Sequence, residues 1–333
     1  MKLYVAALVL SLLACSNESS LKNVVEAFGS STEAPVFLAS RAVSPTVLDF
    51  EFSQPVKVKN LNFQPALEIE QVTEGTVVEI QYTERPGKGE RIVADVLVED
   101  EQQNTLNVLV PLRTRNDKLP QVQITEIRTE YSKPKVEFIE FKVLGDGNLG
   151  ALQLFIASNG LDVPIYEFQP VDVKRGDYVV LHLRKLDENA KDETGTALGV
   201  VVKETDATEG RDFWLPDAKK VIRKTDAVYF VDQDGKIMDA VLMSADSGTQ
   251  WANENIAKAA ELFNRQGAWK GTGTRTPTPN DAVQTANTTA TRSISRNESK
   301  TDSNTASDWF ITGSSKATPG IVNVSIADKY VPK

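Results

Sequence analysis

Cysteine and histidine are almost missing from this chain, whose 333 residues hold one of each, Cys15 and His182. One cysteine excludes an intramolecular disulfide, so stability has to come from packing. One histidine excludes a metal centre built on several imidazoles, and a Ser-His-Asp triad would need His182 at a pocket. Its setting, Val180-Leu181-His182-Leu183, reads instead as a strand carrying a structural or surface histidine. Long apolar runs are missing too. The stretch Leu3–Leu13 is too short to cross a bilayer, which takes about twenty apolar residues. Positive charge is in deficit: 37 Lys and Arg face 46 Asp and Glu, a formal charge of −9. A surface of that sign repels nucleic acid and anionic headgroups as a whole, and only a local basic patch reverses this.

What is present at the start of the chain is a placement. Lys2, the apolar run and Leu12-Leu13-Ala14-Cys15 have the shape of a secretory signal that ends at a lipid-attachment cysteine. An ordinary signal peptide is the rival reading. An uncleaved anchor helix is disfavoured by Ser16-Asn17-Glu18, which breaks the run. The expectation is a bacterial lipoprotein signal over 1–14 and acylation of Cys15, leaving a mature charge of −10 because Lys2 is the only charge removed. Several acyl chains, at about 0.8 kcal/mol per buried methylene, hold a protein on a membrane face without a spanning helix. Residues 15–34 then form a lipidated, mostly polar tether, interrupted by Val24, Val25, Ala27 and Phe28.

From 35 to 116 the pattern is strand after strand. Leu48, Phe50 and Phe52 alternate with Asp49 and Glu51, and apolar runs follow at Val56–Val58, Val77–Tyr82, Ile92–Val98 and Leu106–Leu112. Ser53-Gln54-Pro55, Arg85-Pro86-Gly87-Lys88-Gly89 and Glu99–Asn104 supply turn chemistry between them. This predicts a small antiparallel β-sandwich. Phe50–Val56 and Val98–Leu106 resemble segments of bacterial Ig-like modules. The charged stretch Arg113–Pro120 marks a domain boundary.

Beyond it, Val136–Phe141 carries apolar bulk on both faces, as a central strand does. Asp232-Gln233-Asp234-Gly235 reads as a hairpin turn joining strands Ala227–Val231 and Lys236–Met243, with Gly235 supplying a positive φ. Between Thr249 and Gln266, Ala252, Ile256, Ala259, Ala260 and Phe263 recur at helical spacing and Gly267 stands where a C-cap belongs, so a helix is predicted over 249–266. Residues 270–308, rich in Thr, Ser, Asn and Gly, read as a long flexible loop.

Four stretches of this second region resemble the lamin tail domain, an Ig-like β-sandwich family. They are Ile124–Ile127 with Glu137–Phe141, Arg175–Leu181, Asp226–Asp239, and the closing Ala317-Thr318-Pro319-Gly320-Ile321-Val322-Asn323. The resemblance runs over 122–323, within a domain placed at 122–325, implies binding or tethering, and brings no catalytic residues with it. In the closing motif Pro319 presets φ and Gly320 supplies a positive φ, which predicts a type II turn.

Candidate chemistry is thin. Asp187, Glu188, Asp192 and Glu193 form an acidic loop able in principle to take a divalent cation, though solvated loops of this composition are common. Asp232–Gly235 lacks the further oxygens of an EF-hand, and Lys270–Arg275 lacks the Gly-Lys-Ser/Thr of a phosphate loop. Arg265, Lys270, Arg275, Arg292 and Arg296, with Lys300, oppose only Asp281 and Glu298, a local excess of +4 that suits phosphate or acidic glycan. No aromatic residues interleave with them to stack bases, which argues against nucleic acid as the partner.

The combined expectation is an all-β protein of two antiparallel Ig-like β-sandwich domains, the second with one inserted amphipathic α-helix. Such a protein would be lipid-anchored in a bacterial cell envelope, need no cofactor, and act as a non-catalytic binding or scaffold module for an envelope protein or glycan. Two alternatives are a surface adhesin for host matrix and a metal-dependent hydrolase that uses the acidic loop.

Overall fold

The computed structural model describes residues 33–199, 202, 209–216, 219–273 and 275–332. The signal region 1–14, Cys15 and the tether up to 32 lie outside the described residues. The chain divides into two compact units, Met1–Arg115 and Asn116–Lys333, and both are built on open β-sheets.

In the first unit, six antiparallel strands follow one another: β1 (Phe37–Ser44), β2 (Val47–Gln64), β3 (Ile69–Thr73), β4 (Gly75–Tyr82), β5 (Arg91–Glu99) and β6 (Thr105–Arg113). Strand β2 is shared. Its first half pairs with β1 and β4, and its second half with β5, which pairs in turn with β6. Leu48, Phe50 and Phe52 are buried while Glu51 is exposed, and they meet Val78, Ile80, Ile92, Ala94, Val96 and Val98 in one core. Ser53-Gln54-Pro55, expected as a turn, lies within β2. Proline donates no N–H, and Pro55 falls in the irregular stretch of the β2–β4 ladder between Glu51 and Val56, so the strand runs on through it.

The second unit holds two larger sheets. One has the order β14 (Arg211–Trp214), β13 (Tyr178–His182), β8 (Phe138–Val143), β7 (Val122–Arg128), β18 (Ile294–Arg296), β19 (Trp309–Ile311). The other runs β11 (Tyr166–Glu167), β10 (Gln153–Ile156), β15 (Asp226–Val231), β16 (Ile237–Ser244), β17 (Val283–Gln284). A short pair, β9 (Gly147–Asn148) with β12 (Asp172–Val173), stands apart. Ile124, Ile139, Phe141, Val179 and Leu181 from the first sheet share a core with Leu154, Ile156, Val228, Phe230 and Val241 from the second. Phe141, Phe168 and Phe230 meet there, Phe141 edge-on to the other two at 5.5 and 4.8 Å.

The expected wholly antiparallel arrangement is corrected in this unit: β13 pairs with β14, and β16 with β17, in parallel. Each pair is joined by a long crossover, which parallel pairing requires. The second crossover carries the single α-helix of the described residues, α1 (Glu254–Gln266). It starts later than the apolar spacing predicts because Asn253 caps it, its side chain accepting from the N–H groups of Asn255 and Ile256. Gly267 ends it in the left-handed region at φ 72°. Ile256, Ala259, Ala260 and Phe263 face the core, with Phe263 edge-on to Tyr229 at 5.1 Å.

The flexible loop expected over 270–308 is also corrected. This segment contributes β17 and β18 and two 3₁₀ turns, Pro279–Asp281 and Ala306–Asp308. Several of its small polar residues are interior and not solvated: Thr285, Thr288, Ser293 and Ser295 are fully buried, and their hydroxyls are satisfied internally. Thr285 donates to the Lys224 carbonyl at 2.6 Å and Thr288 to the Thr285 carbonyl at 2.9 Å. No helix among the described residues is long and apolar enough to cross a membrane.

Candidate functional site

The chemistry-bearing side chains of the second unit gather on the face of the six-stranded sheet turned away from the shared core. Alternation along β8 sends Ile139 and Phe141 into the core and Phe138, Glu140 and Lys142 to this other face. Strand β7 contributes Glu126 and Arg128. A register shift between Ile124 and Glu126 also brings in Thr125, whose hydroxyl donates to Glu140 at 2.6 Å. Glu126 and Glu140 are cross-strand partners, and both are fully buried.

These carboxylates are covered by the chain's last segment. Glu126 accepts from the Thr318 N–H at 2.9 Å, from the Ser295 hydroxyl at 3.1 Å, and from the Ser293 hydroxyl. Glu140 accepts from the Gly320 N–H at 2.5 Å. Glu298, beyond β18, accepts from the Asn323 N–H at 2.8 Å, and from Lys142 and the Tyr178 hydroxyl at 2.7 Å each. The Thr318-Pro319-Gly320-Ile321 turn closes with the Ile321 N–H on the Thr318 carbonyl and Gly320 at φ 86°, the type II form. Burial pushes both carboxyls up. For Glu140, held well above its ordinary value, the neighbouring Glu126 charge adds to that effect. Tyr178 is raised as well, by burial and then by Glu298.

The acidic loop is divided among separate partners. Asp187 accepts from the Asn189 N–H at 2.8 Å, and Glu188 is exposed. Asp192 accepts from the Trp214 N–H at 2.9 Å and the Tyr166 hydroxyl at 2.6 Å, and Glu193 from the Asp212 N–H at 2.9 Å. These bonds tie the loop to β14. Among the described residues no group of three or more His, Cys, Asp or Glu side chains is disposed to hold a metal ion. His182 is buried on β13, its Nε2 2.9 Å from Asp212 and its ring stacked on Trp214 at 3.9 Å.

The basic set does not stay together as a patch. Arg296, expected among the contact residues at the surface, is 3% exposed. Its guanidinium donates to Asp239 at 2.9 Å and the Ile124 carbonyl at 2.7 Å, pairs with Asp302 at 2.8 Å, and lies 4.6 Å over the Trp309 ring. A strand position with a buried carboxylate opposite draws it inside. Asp239 is pushed up to about 6 by burial, against the pull of Arg296. Arg292 stacks on Tyr330 at 4.1 Å and Arg275 pairs with Asp281 at 3.7 Å, while Arg265 and Lys270 are exposed.

Glu126, Glu140, Glu298 and Asp239 were missed as a group by sequence reasoning. The available signal was a charge in mid-strand where both faces are otherwise apolar, together with a distant Thr-Pro-Gly turn whose N–H groups need acceptors.

Comparison with known proteins finds a relative and a family. A protein of Treponema pallidum (strain Nichols) that carries the name "Uncharacterized protein" is 27% identical over 252 residues, covering 73% of this chain and 63% of that protein. The chain thus spans less than two thirds of that relative's length. No solved structure matches. A family described as "TP_1001_2nd: protein second domain" matches residues 120–311, from the entry into β7 to the end of β19. That is more than half of the sequence, and the chain belongs to this second-domain family.

Proposed function

We propose that the protein is a lipid-anchored, non-catalytic binding or scaffold module of a bacterial cell envelope, held at the membrane through Cys15. The observation that carries this reading is the order of Lys2, the apolar run and Leu12-Leu13-Ala14-Cys15 in a chain with no other cysteine. The assignment of buried carboxylates to backbone N–H groups supports a framework role for them, since a carboxylate saturated by fixed donors is a poor proton carrier for a substrate.

The second unit is read as a lamin-tail-like, Ig-like β-sandwich. Support comes from the way the first and last of the four resembling stretches meet: Ile124–Ile127 and Glu137–Phe141 lie on and beside the neighbouring β7 and β8, and Thr318 and Gly320 donate to a glutamate on each. The partner in this reading is an envelope protein or a glycan. Cell fractionation tests the anchor: wild-type protein should sediment with membranes and take up labelled palmitate, and Cys15→Ser should lose the label. A Cys15→Ser protein that still carries the lipid overturns the reading.

A further inference from the structure

Residues 313–328 form a closed excursion whose base is pinned by the Gly313 N–H on the Asp328 carbonyl and the Tyr330 N–H on the Ile311 carbonyl, both at 2.8 Å. Ends this close, with a compact loop between them, make an Ω-loop. Its underside is occupied. Thr318, Gly320 and Asn323 give their N–H groups to Glu126, Glu140 and Glu298. The Asn323 side chain donates to the Thr125 and Arg296 carbonyls at 2.8 and 3.1 Å, and Ala317 packs on Phe138 and Val180. Ser325 caps the short turn Ile326–Asp328, its hydroxyl accepting from the Ala327 N–H at 3.3 Å.

With Ala317 and Asn323 turned inward, the larger side chains face out. Ile321 is 40% exposed, Val322 60% and Ile326 43%, and Val331, just past the base, is 68% exposed. They are four of the eight exposed large hydrophobic side chains among the described residues of the second unit, gathered within eleven residues. None of the four belongs to a hydrophobic core. Lys316 and Lys329 lie on the loop and at its base, and Arg292 joins them, donating to the Ser314 hydroxyl at 3.1 Å and stacking on Tyr330. Against these three cations the loop sets one acid, Asp328, 3.3 Å from Lys316. Glu298, beneath the loop, is already answered by Lys142. The result is a local positive excess on a chain whose formal charge is −9.

We propose that this loop is a membrane-docking ridge: Ile321, Val322 and Ile326 enter the headgroup–acyl boundary of an anionic phospholipid bilayer while Lys316, Lys329 and Arg292 meet its headgroups. Apolar area and basic charge act together at such a surface, and an otherwise acidic protein is thereby oriented with this face toward the lipid. The hydrogen bonds beneath the loop hold the apolar side chains outward before any contact, so docking orders little that was free. Glu33, the first described residue, stands eighteen residues after Cys15, a length of chain that reaches at most about 65 Å. On the anchor reading, which this inference uses to bring the body to a membrane, that reach keeps the body beside one bilayer, and a contact too weak to hold a free protein suffices.

The single cysteine makes a local test possible. In the full chain with Cys15→Ser, Val322→Cys provides one thiol for the dye NBD, and Val163→Cys, at a site 74% exposed, provides the comparison. On vesicles of phosphatidylglycerol and phosphatidylcholine the label at 322 should shift to the blue and be quenched by lipids brominated along the acyl chain. The label at 163 should stay in water, as should the label at 322 on phosphatidylcholine alone. Adding Lys316→Glu with Lys329→Glu should lower the docked-to-free ratio of the 322 label at least about tenfold. A 322 label that remains in water on the anionic vesicles overturns the proposal, whether or not the protein sediments with them. An equal response at 163, or on phosphatidylcholine alone, overturns it too. So does a response without lipid that grows with protein concentration, which marks a contact between copies of the chain. Because this protein has no cysteine to acylate at position 15, each result stands apart from the palmitate test of the anchor.

Discussion

Arg296 joins two buried acids at one strand position, and its removal leaves Asp239 charged without its principal counter-ion. Breaking a buried pair from one side costs about 3–5 kcal/mol. Urea unfolding of Arg296→Met should show a loss of that size, whereas Arg265→Ala, exposed at the end of α1, should stay within about 0.5 kcal/mol of wild type. Asp239 has its own pH signature. Its carboxyl, held near 6 and not at the usual 3.8, favours the folded state most below pH 3.8 and loses that favour as the pH rises through 6. Asp239→Asn should therefore flatten the change in unfolding free energy between pH 4 and 6, measured by denaturant titration across that range. None of this is visible in a local reading. Alternation assigns a mid-strand charge to solvent, and only a cover contributed from far along the chain makes Glu126, Glu140 and Arg296 interior residues.

Individual elements were more legible. The apolar spacing of Ile256, Ala259, Ala260 and Phe263, with Gly267 behind it, located α1 because helix caps and helix faces are local features. Val77–Tyr82, Ile92–Val98 and Leu106–Leu112 became β4, β5 and β6 for the same reason: alternation of period two needs no tertiary information. The Thr-rich 270–308 segment was misread because hydroxyl-rich composition is the same whether the hydroxyls meet water or buried acceptors. Pairing β18 with β7 depends on a strand formed about 170 residues earlier, a contact that composition does not encode. At the helix itself, Asn253→Ala removes the side-chain acceptor for two N–H groups. It should lower stability by about 1 kcal/mol in a thermal or urea melt.

At the scale of the whole molecule, the two units have separate hydrophobic cores. All four tryptophans, Trp214, Trp251, Trp269 and Trp309, belong to the second unit. Tryptophan fluorescence therefore follows that unit alone, while far-ultraviolet dichroism follows both. Denaturation monitored both ways should give transitions that do not coincide, and superimposable curves would show that the units unfold together. The alternative role at the cell surface has its own measurement. Added protease should leave the protein intact on whole cells if it sits on an inner face, and should degrade it if it serves as an adhesin.

The cover over Glu126 and Glu140 also bears on the order in which the second unit takes shape during synthesis. Glu126 and Glu140 meet donors that follow them by 192 and 180 residues, and at about 5–20 residues per second those donors emerge roughly 10–40 s later. Throughout that interval β7 and β8 carry two carboxylates that lack their backbone N–H donors, and the face they share stays wetted. The unit is thereby kept from locking early, and its final closure waits for Thr318 and Gly320 to be made.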